Sequence, residues 1–263
     1  MTRKLRKLWR ALRMLRLYRN WLCAYRNRLD SSSEGGEVVY RLRSGPVFSM
    51  EAGPHDIRVL NEVWLDRIYE QQDDFRVQGG WTVVDLGAHK GAFTIRAALS
   101  GPSTEVHAVE PAPDNIAGLR RNIELNGLAN VHVHEEAVGS SRGRALLTFD
   151  TADSGRSSLV VERGHSARIP VSTVPLADLL AGIGEVDLLK MDVEGAEHDV
   201  LHTVPTTVIS IVHRIVLEYH GTVDSTAEAA CASLCSLLEG HGFRCVEARD
   251  RSLLFATRKS RER

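Results

Sequence analysis

The chain has few cysteines and no long hydrophobic run, which argues against a disulfide-stabilised protein and against a membrane-spanning one. Its four cysteines include no CxxC pair and no zinc-ribbon spacing, so we expect free thiols in a reducing compartment. No run of about 18 or more apolar residues occurs, so the sequence predicts no bilayer-spanning helix. It also contains no RNA-binding motif, which argues against a nucleic-acid partner. A length of 263 residues predicts one α/β domain plus an additional segment. We expect the protein to be cytoplasmic.

Acidic residues are nearly absent from the N-terminal segment. Residues 1–30 hold ten Lys or Arg and one acid, Asp30, whereas the remainder holds 23 basic and 33 acidic residues. At about 100° per residue, leucines and Trp9 share one side of a helix and cations share the other. The apolar side comprises Leu5, Leu8, Trp9, Leu12 and Leu15, and the basic side Arg3, Arg6, Lys7, Arg10 and Arg13.

This basic amphipathic helix favours attachment to an anionic membrane surface through residues 1–28. Each cation near such a surface contributes on the order of 1 kcal/mol, so we expect peripheral binding at the inner membrane face. Two alternatives stay open. The leucine side can pack on the rest of the chain or on a second subunit, or the segment can be a cleavable targeting peptide.

The rest of the chain divides into two predicted parts. Residues 31–80 comprise a Ser/Gly-rich linker, a hairpin turning at Ser44-Gly45-Pro46, and a capping helix from Asp56 to Gln71. Residues 81–260 alternate apolar strands with helices, which predicts a Rossmann-like, mostly parallel sheet with helices on both faces. Such sheets bind ligands outside the carboxyl ends of their strands. The polar segment 150–167 is interpreted as a mobile lid or acceptor loop.

The loop after the first strand of this part lacks the G-x-G-x-x-G pattern of a dinucleotide site. It reads Asp85-Leu-Gly87-Ala-His89-Lys-Gly91, and its acid and glycines suit a ligand with a cationic head and an uncharged linker. Glu110 ends the next strand and can accept both hydroxyls of a ribose. Glu136, followed by Ala137, ends the third strand and can accept from an adenine amino group. Three acids ending three successive strands predict an S-adenosylmethionine site.

Five segments resemble the FkbM family of S-adenosylmethionine-dependent methyltransferases in order and separation. The match runs from about Gly45 to Phe255, and the K-x-D-x-E-G-x-E run is its most specific part. The resemblance implies a class I methyltransferase fold with a seven-stranded sheet, and usually O-methylation of sugars or polyketide-type natural products. One departure is His89, where family members often have Asn. The segments are VVDLGAHKGAFTI, HAVEPAPDNIAGLRRNIELNG, EEAVG, VDLLKMDVEGAEHDVL and IVLEYH.

A sulfonium-bound methyl group is already activated, so the enzyme must align a nucleophile and, for an alcohol, remove its proton. We expect His220 or Asp192 to be the general base, Glu194 to position the acceptor hydroxyls, and Lys190 to neutralise the carboxylates. Glu197 is expected at a helix start, where its charge favours the helix dipole. The acids also suit Mg²⁺, and the sequence leaves a metal cluster and a sugar-binding cluster both open.

The sequence therefore predicts an O-methyltransferase acting on a glycan or glycolipid at a membrane surface. The alternative within the same class is methylation of a polyketide or other secondary metabolite. An alternative of another class is a noncatalytic adaptor that keeps the cofactor fold and binds a partner through its basic helix.

Overall fold

The computed structural model describes residues 3–29, 36–150, 153–158, 166–221, 226–248 and 252–259. The α-helices are α1 (Arg3–Leu17), α2 (Trp21–Leu29), α3 (Pro54–Leu60), α4 (Ala92–Ala98), α5 (Pro113–Leu125), α6 (Leu176–Ala181), α7 (Glu197–Thr203), α8 (Thr206–Ile209) and α9 (Ala227–Gly240). The strands are β1 (Glu37–Arg41), β2 (Val47–Glu51), β3 (Thr82–Leu86), β4 (Glu105–Val109), β5 (Val131–His134), β6 (Ala137–Gly139), β7 (Gly143–Asp150), β8 (Asp153–Ser158), β9 (Ser166–Pro175), β10 (Leu188–Met191), β11 (Arg214–Glu218), β12 (Phe243–Ala248) and β13 (Leu253–Arg258).

A seven-stranded sheet forms the centre of the molecule, in the order β12-β13-β11-β10-β3-β4-β5. The neighbours pair in parallel from β11 to β5, and β13 is antiparallel to both β11 and β12. The central strands are apolar and buried on both faces, as continuous burial over Leu188–Met191 illustrates. The predicted mostly parallel, seven-stranded sheet is therefore confirmed. Its strand order reverses between β3 and β10, which is where a ligand crevice is expected.

Four further strands form a separate sheet in the order β6-β9-β7-β8. β7 pairs antiparallel with both β8 and β9. The predicted third strand, residues 131–138, is divided into β5 and β6 by the bend before Ala137. Within the segment predicted as a lid or acceptor loop, residues 153–158 form β8 and β9 begins at Ser166, while residues 151–152 and 159–165 lie outside the described residues.

The predicted hairpin forms from β1 and β2, but the capping helix is shorter than expected. α3 ends at Leu60 and continues as a π-helical stretch from Asn61 to Asp66. Arg67 then adopts a left-handed conformation with φ 53°, which ends the helical path. Two short 3-10 turns, Ile68–Glu70 and Asp73–Phe75, follow. We call residues 54–75 the capping segment.

The N-terminal helix α1 is fixed to the capping segment and the hairpin. Met14 and Tyr18 are fully buried, and the Tyr18 hydroxyl donates to Asn61 Oδ1 at 3.1 Å. Arg13 pairs with Asp66 at 2.7 Å, so a cation of the predicted basic side faces the protein. α1 is thus held through residues of its C-terminal half.

On the apolar side predicted for α1, Trp9 and Leu12 face away from the protein, whereas Leu15 is partly buried. Trp9 is 54% exposed and Leu12 is 48% exposed. The alternative in which this side packs on the rest of the chain is therefore wrong for these two residues. No helix within the described ranges is long and apolar enough to cross a membrane.

Candidate active site

The crevice at the carboxyl ends of β3 and β10 is shaped by two close approaches. Gly87 has φ 75°, and a Cβ there would lie 1.8 Å from the carbonyl oxygen of Asp192. A Cβ on Gly91, which has φ 87°, would lie 2.7 Å from the Leu119 side chain. Gly87 is therefore required by its contact with backbone, and the positive φ at both positions favours glycine.

Asp85 lies beneath this loop, fully buried. One of its carboxylate oxygens is 3.0 Å from the Lys190 ammonium group, and the other accepts from the Thr94 hydroxyl at 2.6 Å. Lys190 also donates to the Gly87 carbonyl at 2.8 Å. Burial lowers the pKa of Lys190, but the charges of Asp85 and Asp192 outweigh burial and raise it. Lys190 thus forms an ion pair with Asp85, and the charge of Asp192 also acts on it.

Glu110 ends β4 with its carboxylate held in one orientation. It accepts from the backbone N–H of His89 at 2.8 Å, from the backbone N–H of Ala112 at 2.9 Å and from the Asn115 amide at 3.3 Å. Burial raises the pKa of Glu110 despite these donors. A carboxylate offers about four lone-pair sites, so capacity remains for a ligand hydroxyl.

Glu136 and Ala137 lie where β5 passes into β6. Glu136 is half-buried and Ala137 is buried. Because β5 neighbours β4 in the sheet, these residues lie at the same edge as Glu110. The three predicted acids therefore end three adjacent strands, as the sequence indicated.

Asp192, Glu194 and His220 converge at the carboxyl ends of β10 and β11, and we call them the acid cluster. One oxygen or nitrogen atom from each lies within 4.8 Å of the others. Asp192 Oδ1 is buried and has no hydrogen-bond partner among the described residues. Glu194 has φ 51°, a strained conformation for a residue other than glycine, and such strain is often found at functional sites.

His220 is oriented by Glu197, a contact that sequence reasoning missed. Glu197 is buried and accepts from His220 Nδ1 at 2.9 Å and from the backbone N–H of Gly195 at 3.0 Å. Burial lowers the pKa of His220, but the hydrogen bond and charge of Glu197, with Asp192 and Glu194 nearby, raise it to about 10. The imidazole is thus protonated at neutral pH. His220 can act as the predicted general base only after losing that proton.

Two further residues border the acid cluster. Burial and the charge of Asp192 raise the pKa of Glu218 to about 8. Tyr69, from the capping segment, is buried with its ring centroid 5.5 Å from the Lys190 ammonium group. Burial, then the charges of Asp192 and Glu218, raise the pKa of its hydroxyl. No motif surrounds Tyr69, so only its place in the predicted capping helix pointed to this region.

His89, the departure from the family pattern, places its ring between the glycine loop and α3. Its φ is 50°, and neither ring nitrogen has a hydrogen-bond partner among the described residues. Burial lowers its pKa to about 4, so the ring is neutral.

The sheet order, with β13 as the antiparallel strand, defines the class I methyltransferase fold. Within it, residues 85–245 match the methyltransferase FkbM domain. The chain is 31% identical over 223 residues to 31-O-demethyl-FK506 methyltransferase FkbM of Streptomyces tacrolimicus, covering 73% of this chain and 83% of that protein. It is 29% identical over 235 residues to Methyltransferase 1 of Beauveria bassiana, covering 78% and 90%. Aeropyrum pernix fibrillarin, solved with S-adenosyl-L-methionine, is a structural neighbour with 14% identity and a TM-score of 0.47, covering 88% of this chain and 86% of that one.

The chain belongs to the FkbM methyltransferase family and is an S-adenosylmethionine-dependent methyltransferase. The crevice fits that cofactor. Glu110 presents an oriented carboxylate beside the glycine loop, and Asp192 presents a buried oxygen without a partner. A carboxylate such as that of Glu110 is the acceptor that ribose hydroxyls require.

Proposed function

We propose that this enzyme transfers a methyl group to a hydroxyl of a glycan or glycolipid. The acid cluster carries the proposal, because Asp192 and Glu194 offer acceptors, protonated His220 offers a donor, and one such atom from each lies within 4.8 Å of the others. Carboxylates at such spacing can accept hydrogen bonds from adjacent hydroxyls of one sugar ring. Glu194 then positions the acceptor hydroxyls beside Asp192.

The cofactor is held by residues that end β3, β4 and β5. Glu110 accepts the ribose hydroxyls, and Glu136 with Ala137 contacts the adenine. The loop from Gly87 to Gly91 lines the methionine portion, with His89 fixed through its backbone N–H to Glu110. The bound cofactor supplies the activated methyl group.

Asp192 is the favoured proton acceptor at neutral pH, because its Oδ1 lacks a partner and His220 already carries a proton. His220 supplies a positive charge 3.5 Å from Glu194, held in place by Glu197. The same oxygens and nitrogen also suit a divalent ion. Activity unaffected by EDTA would exclude an essential metal in this cluster.

The N-terminal helices support a membrane-bound acceptor. Trp9 and Leu12 on α1, and Leu22 and Leu29 on α2, are each about half exposed or more. Residues 1–30 carry a formal charge of +9. Exposed apolar side chains on a basic helix are typical of binding at the surface of an anionic membrane. We therefore place the enzyme at the inner membrane face, close to lipid-linked acceptors.

A second candidate is methylation of a polyketide or other secondary-metabolite hydroxyl. It is favoured by the 31% identity to a protein named 31-O-demethyl-FK506 methyltransferase. The two candidates share the cofactor site and the proton acceptor, and they differ in the acceptor molecule.

The test follows radiolabelled methyl groups from S-adenosylmethionine into three acceptor pools: a lipid-linked glycan extract, a hydroxylated macrolide panel and water. Asp192→Asn is compared with Glu105→Gln, an exposed acid on β4. We expect label in the glycan fraction, lost with Asp192→Asn and kept with Glu105→Gln. Label in the macrolides alone would select the second candidate. Cofactor binding without transfer to any pool would favour the adaptor alternative.

A further inference from the structure

A second cluster of potential metal ligands lies beside the glycine loop, apart from the acid cluster. It consists of His55, Asp56 and His89, and one ligand atom from each lies within 4.8 Å of the others. Asp56 Oδ1 is 3.2 Å from His55 Nδ1 and 3.9 Å from His89 Nε2. Two residues come from the first turn of α3, and the third comes from the loop that follows β3.

The two oxygens of Asp56 have different surroundings. Oδ2 accepts from the Lys90 ammonium group at 2.7 Å and from the backbone N–H of Glu51 at 2.8 Å. These contacts fix the buried carboxylate and turn Oδ1 towards the two imidazoles. Oδ2 is therefore held by Lys90 and Glu51, while Oδ1 lies between the two rings and is hydrogen-bonded to His55 Nδ1 at 3.2 Å, a contact that a bound cation would replace.

The spacing fits a small divalent cation. Zinc binds imidazole nitrogen and carboxylate oxygen at about 2.0–2.2 Å, so its ligand atoms lie roughly 3.3 Å apart in tetrahedral geometry. The 3.2 Å distance from Asp56 Oδ1 to His55 Nδ1 is close to this separation, and the 3.9 Å distance to His89 Nε2 is longer. Small rotations of the histidine rings would complete three ligand positions.

His89 supplies the second reason. Its ring is mostly buried, with the side chain 17% exposed, yet both nitrogens lack a hydrogen-bond partner among the described residues. Buried polar atoms are normally paired, and an unpaired one requires an explanation. A cation between His89 and Asp56 would pair Nε2.

The charged side chains near this cluster have opposite effects on a bound cation. Lys90, 2.7 Å from Asp56, repels it, whereas Glu51, 3.3 Å from Lys90, offsets that charge. Asp56 and Glu51 together outweigh Lys90 by one negative charge.

We propose that His55, Asp56 and His89 bind a divalent first-row transition ion such as Zn²⁺, with a fourth position open to water. Imidazole and carboxylate are ligands that such ions accept. The ion would tie α3 to the glycine loop. Because the His89 backbone N–H holds Glu110, metal binding would also stabilise the loop beside the cofactor.

The test titrates Co²⁺ into tag-free protein that has been dialysed against a chelator, following the visible d–d absorption of a low-symmetry site. Wild type should bind one equivalent at this site. His89→Asn, which introduces the residue common in the family, should weaken binding at least about tenfold, and His55→Gln should do the same. Circular dichroism and thermal unfolding check that each variant is folded.

Two matched controls distinguish the other histidines. His220→Asn alters the acid cluster, and His198→Asn alters an exposed pair on α7 whose rings stack at 5.9 Å. Both should keep the wild-type absorption and affinity. The proposal is overturned if folded His89→Asn binds Co²⁺ as wild type does, if His220→Asn or His198→Asn abolishes the signal, or if wild type shows no signal.

Discussion

Gly87 is the residue at which the fold and the site depend on one missing side chain. A Cβ there would lie 1.8 Å from the Asp192 carbonyl oxygen, and φ is 75°. We expect Gly87→Ala to lower the free energy of unfolding by more than about 2 kcal/mol, because the clash is with backbone. Urea denaturation measures this. Gly240→Ala, where nothing lies within 4 Å of the new methyl, is the matched control and should be near neutral. Equal stability of the two variants would contradict the prediction.

A substitution of Glu110 tests whether this residue belongs to the cofactor site. Glu110→Gln removes a charge whose orientation is fixed by the His89 and Ala112 backbone N–H groups. A charged hydrogen bond contributes about 1.5–3 kcal/mol, so the Kd for S-adenosylhomocysteine should rise about tenfold to a hundredfold. Isothermal titration calorimetry gives the value. Glu105→Gln on the same strand should bind as wild type does, and an unchanged Kd in Glu110→Gln would remove Glu110 from the site.

Glu197 sets the protonation state of His220. The folded-state pKa of His220 is raised from 6.5 to about 10, so the stability it contributes is present below pH 6.5 and lost as pH rises through about 10. Glu197→Gln should lower that pKa by about one unit or more, because the amide carries no charge. NMR titration of the His220 ring proton, assigned by its absence in His220→Gln, measures the shift. A titration near 10 in the variant would show that other groups hold the proton.

At the scale of elements, the capping segment is joined to α4 by an ion pair. Arg96 donates to both carboxylate oxygens of Glu70, with Nη2 at 2.8 Å, and both side chains are largely buried. Removing one partner leaves a buried charge, so Glu70→Ala should cost about 3 kcal/mol of unfolding free energy. Glu135→Ala breaks the exposed pair with Arg120 and should cost less than about 1 kcal/mol. Similar losses in urea denaturation would mean that Glu70 is not buried in solution.

The central sheet was predictable because buried parallel strands are continuously apolar and alternate with helices. The second sheet was not, because no local pattern in β7 or β9 says which partner each strand takes. The helix predicted from Asp56 to Gln71 has a regular apolar spacing, but the left-handed turn at Arg67 interrupts it. The spacing of apolar residues does not reveal a change of backbone conformation such as the one at Arg67.

The same limit applies to the site. The acids ending β3, β4 and β10 were found because strand ends and glycines are visible in the sequence. The role of Glu197 was missed, since its partner His220 lies 23 residues away and is brought near by the sheet. Tyr69 was missed because it arrives from the capping segment. Residues that are brought together by long-range packing have no characteristic spacing in the sequence, so a sequence pattern cannot identify them.

At the scale of the whole molecule, positive charge is concentrated in residues 1–30 and negative charge in the rest of the chain. The N-terminal helices are strongly basic, and the remainder carries a formal charge of −10. The contacts of Met14, Tyr18 and Arg13 hold α1 against the capping segment. The capping segment also carries Tyr69, which borders the acid cluster. A membrane bound to the basic helices would therefore contact a part of the protein that packs on the capping segment, and the capping segment borders the active site.

We expect wild type to co-sediment with vesicles containing anionic lipid and to do so less as salt rises, since screening weakens attraction to the surface. Neutral vesicles should bind little protein. The double variant Trp9→Ser with Leu12→Ser removes two exposed apolar side chains and leaves the charge intact, so it should lower the bound fraction at moderate salt several-fold. Leu125→Ser, which changes an exposed leucine on α5, should bind as wild type does. If the double variant and wild type sediment equally, the exposed side of α1 does not meet the membrane, and a second subunit becomes its expected partner.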